Sequence, residues 1–239
     1  MTRVLQLTDP RAEDVRLAGR PMATLARLAG QGLPVPPGFV VTTECGEWAD
    51  PEAEAAVYRA YHALGDGQGG LPTVCTIASP QTEEDGPSGD VPTGEGGLTA
   101  QQSLSTLDEL LAGIDACRGG VRRDQGRPYY PGPPAIFIAV GVLQLGTAGL
   151  SGAVAIRRLD GDDAYEAQHL WSTTTTPGDD AIKLAALDLG RRVGELLRSD
   201  ATVEWALIDG HPVVVRARSS FPPEERSVRP TKVNATVAT

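Results

Sequence analysis

Two stretches of this 239-residue chain place charged side chains where they could do chemistry. In the first, Gly19-Arg20 stands just before Pro21, and Leu25, Leu28 and Ala29 follow at the spacing of one helical face. Proline suits a first helical turn, so a helix starts here, and its free N–H groups and positive dipole end face Arg20. That is an arrangement suited to an anion. In the second stretch, Glu204 on one side of Asp209-Gly210 and Arg216 and Arg218 on the other lie in apolar runs that read as a β-hairpin, residues 202–218. The turn decides the chemistry. A two-residue turn pairs Ile208 with His211 and Glu204 with Val215, which puts Arg216 on the opposite face from Glu204. A bulged three-residue loop with Gly210 left-handed shifts the register by one, so that Glu204 lies across from Arg216 and Thr202 across from Arg218. A shared site needs the second form, so the bulged loop is expected, with the Glu204 carboxylate touching Arg216.

These residues need elements to hold them. The first helix stops at Gly30-Gln31-Gly32, and the stiff segment Leu33-Pro34-Val35-Pro36-Pro37-Gly38 leads into a strand, Phe39-Val40-Val41-Thr42. Asp50-Pro51 opens a second helix that Gly65 closes, and a strand follows at 73–78. Residues 79–97 are acidic and rich in Pro and Gly, and read as a mobile loop or lid carrying Glu83, Glu84 and Asp85. A third helix is expected over 106–117 with the capping box Ser105-x-x-Asp108, then a stiff linker at 126–134 and buried strands at 136–140 and 153–156. A strand at 165–171 and a helix at 179–197 precede the hairpin. The organisation expected is an N-terminal lobe over 1–125, a C-terminal lobe over 126–218 and a disordered tail over 219–239.

Composition removes several classes of function. The net charge of −10 argues against nucleic acid as a partner. Of 21 basic residues only Lys183 and Lys232 are lysine, a bias that suits a GC-rich bacterial genome. Cys45, Cys75 and Cys117 are odd in number and lack Cys-x-x-Cys spacing, so they read as reduced thiols in a cytoplasmic protein. No cationic, apolar leader opens the chain. The uncharged stretch 128–156 is broken by glycines and polar residues, which favours buried strands over a membrane span.

The stretch Leu25-Ala26-Arg27-Leu28 and Gly32 through Thr43 resembles the opening of the ATP-binding domain of the phosphoenolpyruvate synthase, pyruvate phosphate dikinase and rifampin phosphotransferase family. That family reads Gly-Gly-Lys, Ala-Asn-Leu-Ala-Xaa-Leu, then Gly-Leu-Pro-Val-Pro-Pro-Gly-Phe-Val-Val-Thr-Thr. A second match lies at the far end. Val203-Glu204-Trp205-Ala206-Leu207-Ile208-Asp209-Gly210 resembles Ile-Glu-Trp-Ala-Ile-Asp-Gly, and Val214-Val215-Arg216-Ala217-Arg218 resembles Leu-Leu-Gln-Ala-Arg-Pro. The resemblance implies an α+β, shortened ATP-grasp-like fold of two small lobes around a cleft.

It also implies that much of the machinery is gone. Arg20 stands for the family's phosphate-binding lysine, and Ala78 for the arginine that neutralises the transferring phosphoryl group. Arg216 replaces the metal-side glutamine, while Glu204 and Arg218 remain. A guanidinium offers only donors and displaces a cation. The Gly-Leu-Gly-Glu run and the swivelling phosphohistidine domain have no counterpart, and His62, His169 and His211 read as ordinary histidines. The expectation is therefore a repurposed enzyme with no metal and no cofactor, acting on a small anionic molecule. Arg20, Arg216 and Arg218 would grip a phosphate or sulfate. Glu204, or an acid among Glu44, Glu83, Glu84 and Asp85, would serve as base for elimination, cyclisation or group transfer in specialised metabolism. The alternatives are a non-catalytic pseudoenzyme, a subunit that a partner protein completes in a split phosphotransferase, and a surviving ATP-dependent phosphotransferase.

Overall fold

The structure is a computed structural model, and it describes residues 2–45, 51–65, 70–79, 100–123, 138–145, 150–159, 164–173 and 180–219. The fold is α+β, with two antiparallel sheets and four α-helices among the described residues. The first sheet has the order β1-β2-β5-β3-β4, from β1 (Val4–Gln6), β2 (Gly38–Val41), β3 (Val74–Ser79), β4 (Ala100–Leu104) and β5 (Ala139–Gln144). The second has the order β7-β6-β8-β9, from β6 (Ser151–Arg158), β7 (Tyr165–Ser172), β8 (Ala201–Ile208) and β9 (His211–Ser219). The helices are α1 (Val15–Gly30), α2 (Pro51–Ala63), α3 (Leu107–Arg123) and α4 (Asp180–Leu197).

The central strands β2, β3 and β5 are buried along nearly their whole length because both faces of the sheet are covered. Successive side chains point to opposite faces. Phe39, Val41, Val74, Val140 and Val142 pack with Val57 and Tyr61 of α2 and Leu110 and Ile114 of α3. Val40, Cys75, Ile77, Ala139 and Leu143 belong to a second core, with Met22, Leu25 and Leu28 of α1. That core continues into the second sheet through Val154, Val203, Trp205 and Val214, and α4 joins it with Ala186, Leu189 and Val193. The boundary expected at 125/126 is not where the sheets part. β5 lies between β2 and β3 in the first sheet, so the chain changes sheet between Gln144 and Ser151.

The stiff segment after α1 links the two sheets. Gly32, at φ +76°, closes the helix, with Gly32 N–H donating to Ala29 O and Leu33 N–H to Leu28 O. Pro37 O then accepts from Gln144 N–H in the first sheet at 2.8 Å, and Pro34 O accepts from Val214 N–H in the second at 2.8 Å. Prolines lack donors but keep their carbonyls, and their fixed φ holds those acceptors in place.

Two local expectations shift. The box that caps α3 is Thr106-x-x-Glu109, not Ser105-x-x-Asp108. Thr106 Oγ1 accepts from Glu109 N–H, and Glu109 Oε2 accepts from Ser105 and Thr106 N–H. The longer glutamate side chain reaches back to amides that aspartate would miss. Strands β1 and β4 are additions. The proposed cap Asp50, the linker 126–134, the tail from 220 and residues 80–97 of the acidic segment, with Glu83, Glu84 and Asp85, lie outside the described residues. Ser79, counted with that segment, is the buried last residue of β3.

Candidate functional site

The hairpin brings Glu204 and the two arginines to one face, by a route other than the one expected. Asp209 and Gly210 both have positive φ, 51° and 79°, and Ile208 pairs with His211. This is a two-residue turn of the mirror-image type that Asp-Gly favours, not a bulged three-residue loop. Pairing continues regularly to Trp205↔Val214. The register then slips, leaving Val215 as the extra residue, and resumes at Glu204↔Arg216, Val203↔Ala217 and Thr202↔Arg218. The bulge thus lies inside the strand. It lets two consecutive valines, Val214 and Val215, both be buried, and turns Arg216 to the face of Glu204. Because β9 is an edge strand, the amide of Val214 is free to take Pro34 O, which anchors the chain beside the bulge.

Glu204 and Arg216 are half-buried, and Arg218 is exposed. Burial raises the Glu204 carboxyl above its ordinary range, against the opposing pull of Arg216 and Arg218. Burial, then the charge of Arg218, lowers Arg216 to about 10, with Glu204 acting the other way. Desolvation therefore outweighs the pairing on both sides. Among the described residues Glu204 Oε2 is buried without a hydrogen-bond partner. A folded-state pKa raised above the unfolded value contributes stability below the unfolded pKa, and that contribution is lost as pH rises through the folded one. The variant Glu204→Gln should therefore gain stability relative to the unchanged protein as pH rises from about 4.5. Denaturant melts of both proteins at several pH values check this, and parallel pH profiles would refute it.

Arg20 lies on another element, the helix α1. The charges acting on Glu204 are those of Arg216 and Arg218, and Arg20 is exposed on α1. The helix start beside it is also partly occupied. α1 kinks at Gly19 (φ 70°, ψ 164°), and Ser79 Oγ bridges the kink, donating to Ala18 O at 2.6 Å and accepting from Met22 N–H at 3.1 Å. One of the amides expected to face an anion thus already has a protein partner. Glu44 is likewise engaged away from the hairpin, accepting from Thr2 N–H at 2.8 Å. Ser79 and the Val215 bulge are the two features sequence reasoning missed. The Asp-Gly turn signal, followed strictly, would have pointed to an irregularity in β9 if Arg216 was to meet Glu204.

Among the described residues no three His, Cys, Asp or Glu side chains group as a metal site, and no helix is long and apolar enough to cross a membrane. The arginine across from Glu204 does not fit a divalent cation at that carboxylate.

No family model matches the chain, and no curated protein matches it. Among solved structures it is similar to the D-alanine-D-alanine ligase of Coxiella burnetii, at 13% identity and a TM-score of 0.48, over 82% of this chain and 46% of that one. It is similar to the ATP complex of the Bacillus anthracis D-alanine-D-alanine ligase, at 14% identity and a TM-score of 0.44, over 82% of this chain and 51% of that one. A third is the β-γ-ATP complex of Campylobacter jejuni biotin carboxylase, at 11% identity and a TM-score of 0.48, over 84% of this chain and 40% of that one. These are proteins of the ATP-grasp fold. The chain spans about half their length or less. Likeness at this level decides neither substrate nor reaction.

Proposed function

We propose that the face carrying Glu204, Arg216 and Arg218 binds a small phosphate- or sulfate-bearing substrate without a metal ion, in a degenerate relative of the phosphoenolpyruvate synthase ATP-binding domain. The observation that carries this reading is the cross-strand pair Glu204↔Arg216, with Arg218 two residues along on the same face. Guanidinium forks match the oxygens of phosphate and sulfate. The family's glutamine supplied an oxygen beside the glutamate, and an arginine there replaces the ion by a fixed positive charge. Glu204, desolvated and raised above the ordinary carboxyl range, is a group that could take or return a proton. The arginines would hold the anion, as substrate anchor or leaving group, in an elimination, cyclisation or group transfer. The motif matches at both ends of the chain support the family reading.

Calorimetry of the full chain tests it. Phosphate or sulfate should bind without metal, and ATP–magnesium should not bind at micromolar concentration, about −8 kcal/mol. Micromolar ATP–magnesium binding would overturn the proposal in favour of a surviving phosphotransferase. An absence of binding by both anions would overturn it in favour of a non-catalytic domain.

A further inference from the structure

Resting on that reading, we infer that the substrate carries a hydrogen-bond donor, a hydroxyl or an ammonium, close to its phosphate or sulfate group, and that Glu204 Oε2 accepts from it. The geometry has three parts. Among the described residues Glu204 Oε2 is buried and without a hydrogen-bond partner. Folded proteins leave few buried acceptors unmet, because each forfeits the hydrogen bond it had with water. Such an atom on a face that also carries two guanidinium groups is a place for a ligand's own donor.

The second part is spacing. Glu204 and Arg216 are direct cross-strand neighbours, about 5 Å apart at Cβ. Arg218 lies two residues further along β9, about 7 Å away. An anion held by the arginines and the carboxylate are therefore within reach of one small ligand. Across from Glu204 and Thr202, β6 contributes Ala153 and Ala155, whose side chains end at Cβ and do not reach over the face.

The third part is charge. Glu204, Arg216 and Arg218 sum to a single positive charge, and the cross-strand pair Arg157 and Glu166 on the same sheet face cancels. A bare dianion is drawn to the arginines but repelled by Glu204, whereas a donor beside the anion turns that repulsion into a hydrogen bond. The ligand class is a phosphate or sulfate ester with a hydroxyl or ammonium on a carbon one or two removed from the ester oxygen.

Ethyl phosphate and 2-hydroxyethyl phosphate have the same charge and differ by one hydroxyl, so they separate the two parts of the reading. Calorimetry on the full chain should show both binding, the hydroxylated ester about tenfold tighter. In Glu204→Ala the advantage should vanish while ethyl phosphate binds at least as well as before. In Glu204→Gln, which keeps an acceptor oxygen without the charge, part of it should remain. Equal affinities in the unchanged protein would overturn this inference and leave the anion site standing. Failure of both esters to bind would overturn the anion site itself. The comparison in the unchanged protein decides the matter even if a variant does not fold.

Discussion

Gly19→Ala is expected to destabilise the protein by about 4 kcal/mol or more, a large fraction of the stability of an ordinary domain. Gly19 has φ 70° and ψ 164°, a region essentially closed to residues with a Cβ. A Cβ there would overlap the carbonyl oxygen of Ser79 and lie 2.6 Å from Ser79 Oγ. The obstacle is backbone at the end of β3, which no side-chain rotation relieves. Moving β3 away would break the hydrogen bonds from Ser79 Oγ to Ala18 O and from Met22 N–H to Ser79 Oγ, both buried. Backbone strain contributes about 1–3 kcal/mol, and each buried bond lost about 1–3 kcal/mol. In a chain of this size each kcal/mol lowers Tm by about 2–4 °C, so thermal melts should show a fall of about 10 °C or more. Ser79→Ala, which removes the hydroxyl but not the overlap, should cost only about 1–3 kcal/mol. A Gly19→Ala protein as stable as the unchanged one would mean that α1 does not kink against β3.

The second large effect is on binding. Arg216→Ala should weaken phosphate or sulfate binding by about 10- to 100-fold, the worth of one charge-assisted contact of about 1.5–3 kcal/mol. Arg216 stays charged at neutral pH even though burial lowers it to about 10. Arg216→Lys keeps a charge but loses the planar fork, so it should recover only part of the affinity. Arg216→Gln should weaken the anion in the same way and raise magnesium affinity, since it returns an oxygen ligand beside Glu204. Calorimetry with phosphate and with magnesium reads both effects. Unchanged phosphate affinity in Arg216→Ala would remove this arginine from the site, and with it the reason for reading the hairpin as an anion holder.

How much of this could be read from the residues varies with the range of the interaction concerned. Local order determined the helices. Gly32, Pro51 and the apolar spacing placed α2, α4, the end of α1 and the start of α3 close to where they lie, because caps, glycine closures and helical periodicity act within a few residues, whereas α1 begins at Val15, before the Gly19 kink and not at Pro21, and α3 runs on to Arg123. The apolar run Phe39-Val40-Val41, and the charge-free stretch that holds β5 and most of β6, likewise announced buried strands. The sequence also brought Glu204, Arg216 and Arg218 into one hairpin, and Asp209-Gly210 specified its tight turn. It could not specify which strand joins which sheet. β5 follows a long connection and inserts between β2 and β3, a choice made by packing on both faces rather than by its own residues. Nor could it show the bulge at Val215. That irregularity is set where Val214 and Val215 are both buried and Pro34, 180 residues earlier, holds the Val214 amide. The same holds for Ser79, whose hydroxyl meets α1 across 57 residues of chain at Met22. Residue types and short spacings determined what the chain can offer chemically. The tertiary structure decided which face presents it, because a one-residue slip between strands reverses every side chain and only long-range contacts decide where that slip falls.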